Sequence, residues 1–218
     1  HGRPGPVLVD ITKDAQMGML DYHYKKHKPR INHSYDCPDI QFIQIADIVN
    51  EAKRPLIFAG NGIGMSNAED ELLKLAEKAT IPVACTLHGL HNFPSDHELF
   101  VGLLGMHGNY APNIMTNQAD VIIAIGMRFD DRVTGNLAKY AKQAKIIHID
   151  IDHAEINKNV KSYIPLHTDA KYALTQLLRY IQPNRHEQWR EKFKALHNEE
   201  YQKVILPELT MQKDIIRM

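Results

Sequence analysis

Cysteine is scarce in this chain, and its scarcity excludes a class of protein. The sequence holds 2 cysteines, Cys37 and Cys85, which are too few and too far apart for a disulfide framework. Cys85 ends an apolar run, where a buried thiol is the ordinary interpretation. This cysteine usage is typical of a reducing compartment, so we expect a cytoplasmic protein.

Long apolar runs and an excess of one charge are also missing. No segment approaches the roughly 20 apolar residues of a membrane helix, and the amino terminus carries no signal pattern. Lys+Arg and Asp+Glu both number 26, which gives a formal net charge of +0 and no basic stripe for the phosphates of a polymer. We therefore expect neither a membrane span nor a nucleic-acid partner.

Common catalytic and metal-binding motifs are missing as well. The sequence has no G-x-S-x-G nucleophile elbow and no Walker loop. Its 13 histidines lack the cysteine or carboxylate spacing of a zinc site. His107, in a loop whose glycines permit close approach, is the one histidine we keep as a candidate binding residue. We predict no catalytic residue and no metal ligand in this chain.

The sequence does have a regular alternation of strand and helix patterns. Branched apolar runs predict strands over 56–59, 81–85, 121–125, 145–149 and 163–166. Apolar residues at helical spacing predict helices over 39–52, 67–79, 112–118, 170–181 and 186–201. Strands separated by helices favour a parallel, doubly wound α/β sheet.

Two local signals add to this pattern. Ser66 stands three residues before Glu69, which is the spacing of a capping box at the start of the helix over 67–79. A short branched run over 6–11 predicts a further strand near the amino terminus, which would need neighbours to pair with. Both ends of the chain look cut, so we expect a piece of a longer polypeptide.

Polar, glycine-bearing loops follow several predicted strands, at the end where ligands bind in open parallel sheets. The turn Gly-Asn-Gly-Ile-Gly over 60–64 suits a phosphate or a dinucleotide, although a tight turn alone would also need glycine. A conventional NAD site would place an acid at the end of the second strand, where Thr86 and Leu87 stand instead.

Charged residues follow two of the later strands. Asp150 and Asp152 end the strand over 145–149, and Glu155 follows, so these acids suit ribose or adenine contacts or simple helix capping. Arg128 and Arg132 flank two aspartates after the strand over 121–125, which suits phosphate contact or a surface ion-pair cluster.

Four motifs together resemble a known family. They are GRPGPVLVDITKD over 2–14, LLGMHG over 103–108, RFDDRVTG over 128–135 and IIHIDIDHAEINKN over 146–159. The chain closely resembles the large catalytic subunits of the acetolactate synthase (acetohydroxyacid synthase) family over nearly its whole length. The sequence departs from the usual family pattern at His88 and His91, and at Asn61, where glycine is common.

The resemblance implies a domain organisation. Residues 1–16 would be the tail of a pyrimidine-binding domain and 17–38 a linker. Residues 39–183 would form the central FAD-binding domain, with the Rossmann-like, six-stranded parallel sheet of thiamine-diphosphate enzymes. Residues 184–218 would be a helix and linker toward an absent pyrophosphate-binding domain.

The resemblance also implies a flavin site in the central domain. This flavin would be architectural and take no part in a redox step, with Asp131 and Arg132 near the channel to the active site. The FAD contacts carried over by position are Gly60, Asn61, Gly62, Thr86, Leu87, Gly105, Met106, His107, Gly108, Arg128, Asp130, Arg132 and Val133. The adenosine contacts carried over in the same way are Asp150, Ile151, Glu155, Asp169 and Ala170.

The implied reaction is a carboligation in branched-chain amino acid biosynthesis, toward isoleucine and valine. Pyruvate loses carbon dioxide, and the remaining two-carbon unit is joined to a second 2-oxo acid. The family uses thiamine diphosphate and magnesium, held by the other domains, and this chain has no Gly-Asp-Gly magnesium motif. We therefore expect the chain alone to be inactive, and the whole enzyme to be a homo-oligomer with a small regulatory subunit.

Two other interpretations remain open at this point. The chain could be a free-standing adenine-nucleotide-binding module with no enzyme attached. It could also be a thiamine-enzyme relative that holds ADP in place of FAD.

Overall fold

The computed structural model describes residues 3–26 and 37–205, which fall in two separate units. Residues 3–26 are exposed throughout and contain a single short helix, α1 (Lys13–Met17). The strand predicted over 6–11 is wrong for this structure, because those residues are not paired as a strand. A strand forms only where a neighbour satisfies its backbone groups. Residues 27–36 of the predicted linker lie outside the described residues.

The unit over 37–205 is built on a sheet of six parallel strands. In spatial order the sheet runs β3-β2-β1-β4-β5-β6. The strands are β1 (Pro55–Ala59), β2 (Val83–Cys85), β3 (Phe100–Leu103), β4 (Val121–Ile125), β5 (Lys145–Asp150) and β6 (Ile164–His167). The doubly wound α/β prediction is confirmed, including the six strands that the family resemblance implied.

Helices cover both faces of this sheet. They are α2 (Asp39–Glu51), α3 (Gly62–Met65), α4 (Glu69–Ala79), α5 (Tyr110–Thr116), α6 (Asp131–Thr134), α7 (Ala170–Tyr180) and α8 (Glu187–Glu200). A 3₁₀ helix, Leu87–Asn92, follows β2, and a π-helical turn, Tyr201–Ile205, follows α8. None of the helices in the described ranges is long and apolar enough to cross a bilayer.

Alternating strand residues feed two hydrophobic cores. Ile57 and Ile123 pack on one face with α2, α4 and α7, whereas Leu56 and Ile122 pack on the other with α5 and α8. All residues of β1 and β4 are buried, as the continuous branched apolar runs predict for strands covered on both faces. The two cores fix the central strands and therefore the turns that leave their carboxyl ends.

The predicted helix over 186–201 packs onto the second core as α8. Trp189 is its anchor: the indole Nε1 donates to the Pro55 carbonyl at 2.8 Å, and its ring meets Phe193 edge-on with 5.2 Å between centroids. Arg190 pairs with Glu98 at 2.6 Å. The domain boundary at 183/184 stays a prediction, since packing alone does not set it.

Two local predictions differ from the structure. The capping box is wrong: α4 begins at Glu69, and the Ser66 hydroxyl donates to the Asp169 carboxylate instead of capping that helix. The strand β3 was not predicted from the residues. It is short, contains Gly102 at φ +107, and forms only as the outer neighbour of β2.

Candidate functional site

The predicted cofactor contacts all lie at the carboxyl ends of the six strands, in the last strand residue, the turn or the first helical turn that follows. Each strand contributes one group, from Gly60–Gly62 after β1 to Asp169 and Ala170 after β6. With strands about 4.8 Å apart, this edge of the sheet is roughly 24 Å wide. Residues that are far apart in sequence therefore form one continuous surface, which we call the carboxyl edge.

The glycine turn after β1 is packed against the turn after β4. A Cβ on Gly60 would lie 2.2 Å from the Gly126 carbonyl oxygen, and one on Gly62 would lie 2.6 Å from the Gly126 Cα. The Gly62 amide also donates to the Gly126 carbonyl at 2.9 Å. These glycines are thus required by the approach of two backbones at the point where the strand order reverses. The exposed Asn61 has right-handed helical φ and ψ, so its replacement of glycine carries no backbone strain.

The turn after β2 is held beneath the glycine turn. The Thr86 amide donates to the Ala59 carbonyl at 3.0 Å, and Asn92 Nδ2 donates to the Gly60 carbonyl at 2.7 Å. Leu87 is 65% exposed. This turn therefore presents an apolar side chain to solvent at the carboxyl edge.

The turn after β3 is fastened from two directions. Gly105 has φ +94, and both its amide and its carbonyl bond to the Asn113 side chain, at 2.9 and 2.8 Å. The Met106 amide donates to the Arg132 carbonyl at 2.7 Å, which joins this turn to α6. Met106 and His107 are exposed above it, whereas the half-buried Gly108 closes the turn. A cavity of about 380 Å³ lies beside this junction.

The turn after β4 carries the cations of the site. Arg128 Nε donates to Asp130 Oδ2 at 3.1 Å, and the arginine side chain is 57% exposed. Asp130 Oδ1 accepts from the Val133 amide and so begins α6. Arg132 is exposed, with Nη1 3.8 Å from Met106 Sδ. Arg128 thus borders the middle of the carboxyl edge and Arg132 lies toward the turn after β3, and both guanidinium groups suit a phosphate.

The turn after β5 carries the acids. Asp150 is only 8% exposed, and this burial raises the pKa of its carboxyl above the ordinary value. The Asp152 amide donates to Asp150 Oδ1 at 2.8 Å, and this hydrogen bond lowers the pKa in opposition to the burial. The Ile151 carbonyl accepts from His167 Nε2 at 2.9 Å, and Glu155 pairs with Lys158 at 3.1 Å. A carboxyl at the end of a buried strand suits a ribose hydroxyl donor.

The residues after β6 have structural partners. Asp169 caps α7 by accepting from the Tyr172 amide at 3.0 Å, and its other oxygen accepts from the Ser66 hydroxyl. Ala170 is buried. Both carboxylate oxygens of Asp169 are therefore used within the protein. Its adenosine contact stays a prediction, as do the other predicted cofactor contacts.

Four polar residues that hold this edge were not predicted: Asn92, Asn113, His148 and Asn159. Each bonds the backbone of a glycine or of the segment carrying Arg128. Asn92 and Asn113 follow glycine-bearing loops, whereas His148 and Asn159 lie in a stretch without glycine, and in neither case does the sequence reveal the backbone partner. Across the described residues, no group of three His, Cys, Asp or Glu side chains is arranged to hold a metal ion.

The carboxyl edge changes its chemistry from one side to the other. Exposed apolar side chains, Leu87 and Met106, follow β2 and β3, and Arg128 follows β4. Arg132, in α6, lies against Met106 and so borders the apolar part. Carboxylates, Asp150 and Asp169, lie on the β5 and β6 side. The carboxyl edge therefore suits an elongated ligand with an apolar ring, a central anionic group and a hydroxyl-bearing end.

Known proteins match this chain closely. The family model for the thiamine pyrophosphate enzyme, central domain, matches residues 43–177. A probable acetolactate synthase large subunit of Methanocaldococcus jannaschii is 47% identical over 186 residues, covering 81% of this chain and 31% of that protein. The chloroplastic acetolactate synthase of Arabidopsis thaliana is 40% identical over 202 residues, covering 91% of this chain and 30% of that protein.

A third relative agrees with these two. The acetolactate synthase large subunit of Buchnera aphidicola subsp. Schizaphis graminum is 39% identical over 213 residues, covering 93% of this chain and 37% of that protein. The chain thus spans about a third of the length of these curated relatives. With a six-stranded parallel sheet and a family match over 43–177, the chain belongs to the central-domain family of thiamine pyrophosphate enzymes.

Proposed function

We propose that this chain is the central, FAD-binding domain of an acetolactate synthase large subunit. The order of chemistry along the carboxyl edge carries the proposal. FAD has an apolar ring system, a pyrophosphate and an adenosine, and the apolar, cationic and acidic parts of the edge follow in the same sequence. The family match and the relatives named large subunits support the same assignment.

The side chains of the edge fit the group in kind. Leu87 and Met106 would pack against the flavin ring, because both are large, apolar and exposed. Arg128 and Arg132 would pair with the pyrophosphate, since guanidinium groups bind phosphate oxygens through parallel N–H donors. Asp150 would accept from a ribose hydroxyl. Because the flavin is assigned an architectural role, no electron transfer is required of these residues.

The whole protein would join two 2-oxo acids. We propose that pyruvate is decarboxylated and its two-carbon unit is transferred to a second 2-oxo acid, on the route to isoleucine and valine. Thiamine diphosphate supplies the chemistry of that step when it is bound with magnesium, and the residues for both would lie in domains outside this chain. The chain contains no Gly-Asp-Gly, so we expect it to consume no pyruvate by itself.

Assembly and location are part of the same proposal. We propose a homo-oligomer with a small regulatory subunit, consistent with relatives whose names specify a large subunit. The cytoplasmic location expected from the cysteine usage stays a prediction, and the Arabidopsis thaliana relative is named chloroplastic.

A retention experiment tests the flavin site. The purified chain is incubated with FAD, separated from free ligand, and measured for flavin absorbance beside Arg128→Ala and Arg179→Ala. Arg179 is a matched control, because it is an exposed arginine in the last turn of α7, which runs back from the carboxyl edge. We expect flavin in the parent and in Arg179→Ala, and much less in Arg128→Ala. Equal retention in both variants would remove Arg128 from the site.

A second variant separates FAD from ADP. Leu87→Ser removes apolar surface on the β2 side, where the proposed ligand has its flavin ring. We expect it to weaken FAD binding while leaving ADP binding unchanged, since ADP has no ring system to place there. If ADP binds the parent as tightly as FAD, and Leu87→Ser affects neither, the ADP-binding alternative is favoured.

A further inference from the structure

The segment 127–130, which carries Arg128, is held by two side chains from the β5 side of the sheet. His148 Nε2 lies 2.8 Å from the Met127 carbonyl oxygen, and Asn159 Nδ2 donates to the Phe129 carbonyl at 2.7 Å. Neither side chain belongs to the predicted cofactor contacts. The motifs RFDDRVTG and IIHIDIDHAEINKN are thus joined through hydrogen bonds into one structural unit.

The bond from His148 defines its tautomer. A carbonyl oxygen can only accept, so Nε2 must carry the hydrogen. The ring is completely buried, and burial lowers the pKa of His148 below its ordinary value, so the imidazole stays neutral. Its Nδ1 has no hydrogen-bond partner among the described residues, which leaves the bond to Met127 as the polar contact that fixes the ring.

The two bonds lie on either side of Arg128. Met127 and Phe129 bury their side chains, at 4% and 3% exposed, and the Phe129 ring meets the His148 ring edge-on with 5.0 Å between centroids. Arg128 stands between them with a largely exposed side chain. Fixing both carbonyls restricts the backbone around Arg128, and therefore the direction in which its side chain leaves the turn.

We propose that His148 and Asn159 are positioning residues, which hold the backbone on both sides of Arg128 and so orient its guanidinium toward an anionic ligand at the carboxyl edge. The ligand part of this inference rests on the proposed function, whereas the anchoring of the segment does not. Orientation matters because a side chain fixed before binding loses less freedom on binding. Losing one such hydrogen bond is expected to weaken FAD binding by about 2- to 10-fold.

Hydrogen exchange of the ligand-free chain tests the anchoring. The segment 126–135 contains protected amides, because those of Gly126, Val133 and Gly135 donate to backbone carbonyls. We expect His148→Leu and Asn159→Ala each to speed exchange in this segment by about 10-fold, without a matching change in α2 or α7. His148→Gln, which keeps a donor, is expected to restore much of the protection.

A matched control comes from the neighbouring strand. His167 also donates through Nε2 to a backbone carbonyl, that of Ile151, in a different turn. His167→Leu is expected to leave exchange in 126–135 unchanged. If His148→Leu does not fold, Asn159→Ala carries the test, because Asn159 lies outside the strands and is not fully buried. Unchanged exchange in 126–135 in the folded variants would overturn the anchoring.

A double-mutant cycle on FAD affinity tests whether Asn159 affects binding through Arg128. Asn159→Ala is expected to weaken binding in the parent but to have little further effect when Arg128→Ala is already present. Equal weakening in both backgrounds would show that Asn159 does not act through Arg128. If the parent binds no FAD, the proposed function fails together with the ligand part of the inference, and the exchange result still decides the anchoring.

Discussion

Replacing Gly62 by alanine tests the contact between the turns after β1 and β4. A Cβ at this position would lie 2.6 Å from the Gly126 Cα and 3.1 Å from its carbonyl oxygen. Ordinary contacts between carbon atoms are about 3.5–4.0 Å, so the two turns would have to separate by roughly 1 Å. Both neighbours are backbone atoms, and no side-chain rotation can relieve the clash.

The size of the effect follows from two opposing contributions. Overpacking against a fixed neighbour costs about 1–3 kcal/mol. Replacing glycine by alanine also raises the free energy of unfolding by about 0.5–1 kcal/mol, because alanine restricts the unfolded chain. Because the clash is with backbone atoms, the upper part of the overpacking range, about 2–3 kcal/mol, applies, and we expect Gly62→Ala to lower the free energy of unfolding by about 1–2.5 kcal/mol. Gly126→Ala should cost more, since Gly126 also has φ +58, where a side chain is strained.

Urea unfolding followed by circular dichroism measures this difference in the free energy of unfolding, with the variants compared at the same dependence on urea concentration. Asn61→Ala is the control in the same turn, because Asn61 is exposed, has right-handed helical φ and ψ, and already carries a Cβ. We expect a smaller loss for Asn61→Ala than for Gly62→Ala. If Gly62→Ala is as stable as the parent, the backbone contact does not limit this position and the reasoning fails.

Three further predictions concern buried groups. Burial lowers the pKa of His148 and His186 from the ordinary value of 6.5. Below about pH 6.5 the unfolded chain therefore binds more protons than the folded chain, so the free energy of unfolding should fall as the pH drops below that value. Urea midpoints should show a smaller fall for His148→Gln than for the parent. Burial raises the pKa of Cys85 to about 12, so iodoacetamide at pH 8 should label it, by mass spectrometry, only after unfolding. Trp189→Phe leaves the Pro55 carbonyl without its indole donor and should lower the free energy of unfolding by about 1–2 kcal/mol in urea.

Each of these predictions has a contradicting result. Stability that rises as the pH falls from 7 to 5.5, or an equal fall in His148→Gln, would contradict the assignment to a buried neutral imidazole. Rapid labelling of Cys85 in the native chain would contradict its burial. An unchanged unfolding midpoint for Trp189→Phe would mean that the indole hydrogen bond contributes no net stability.

The central strands could be predicted from the sequence because their signal is local. The run over 121–125 is continuously apolar and branched, and the structure has β4 with the same bounds. β5 likewise extends only one residue beyond the predicted 145–149. Burial on both faces leaves few other conformations for such runs, so local composition is sufficient.

Other features depend on partners that the sequence does not identify. Ser66 has the spacing of a capping residue, but its hydroxyl bonds to Asp169, which lies 103 positions away. β3 is too short to be recognised without β2 beside it. The run over 6–11 has strand composition but no strand pairing, because pairing requires a neighbour.

The candidate site, too, was predicted from the sequence only in part. The loops after β1, β4 and β5 were identified from their glycines or charges at the ends of predicted strands. The loop over 103–108 was noted for its glycines and His107 although β3 was not predicted, and the contacts after β2 and β6 came only from the family resemblance. The side chains that fix these loops, such as Asn113 on Gly105 and His148 on Met127, were not identified, because their partners are backbone atoms. Backbone carbonyls are present at every position and give no sequence signal.

The position of bound FAD is the most direct test of the proposed function. We would record amide NMR spectra of the isotopically labelled chain during titration with FAD, with Arg128→Ala as the control. We expect shifts that are concentrated in the turns after the six strands, include residues near Leu87, Arg128 and Asp150, and are reduced in the control. Shifts confined to the opposite ends of the strands, or no shifts at all, would contradict a flavin site at the carboxyl edge.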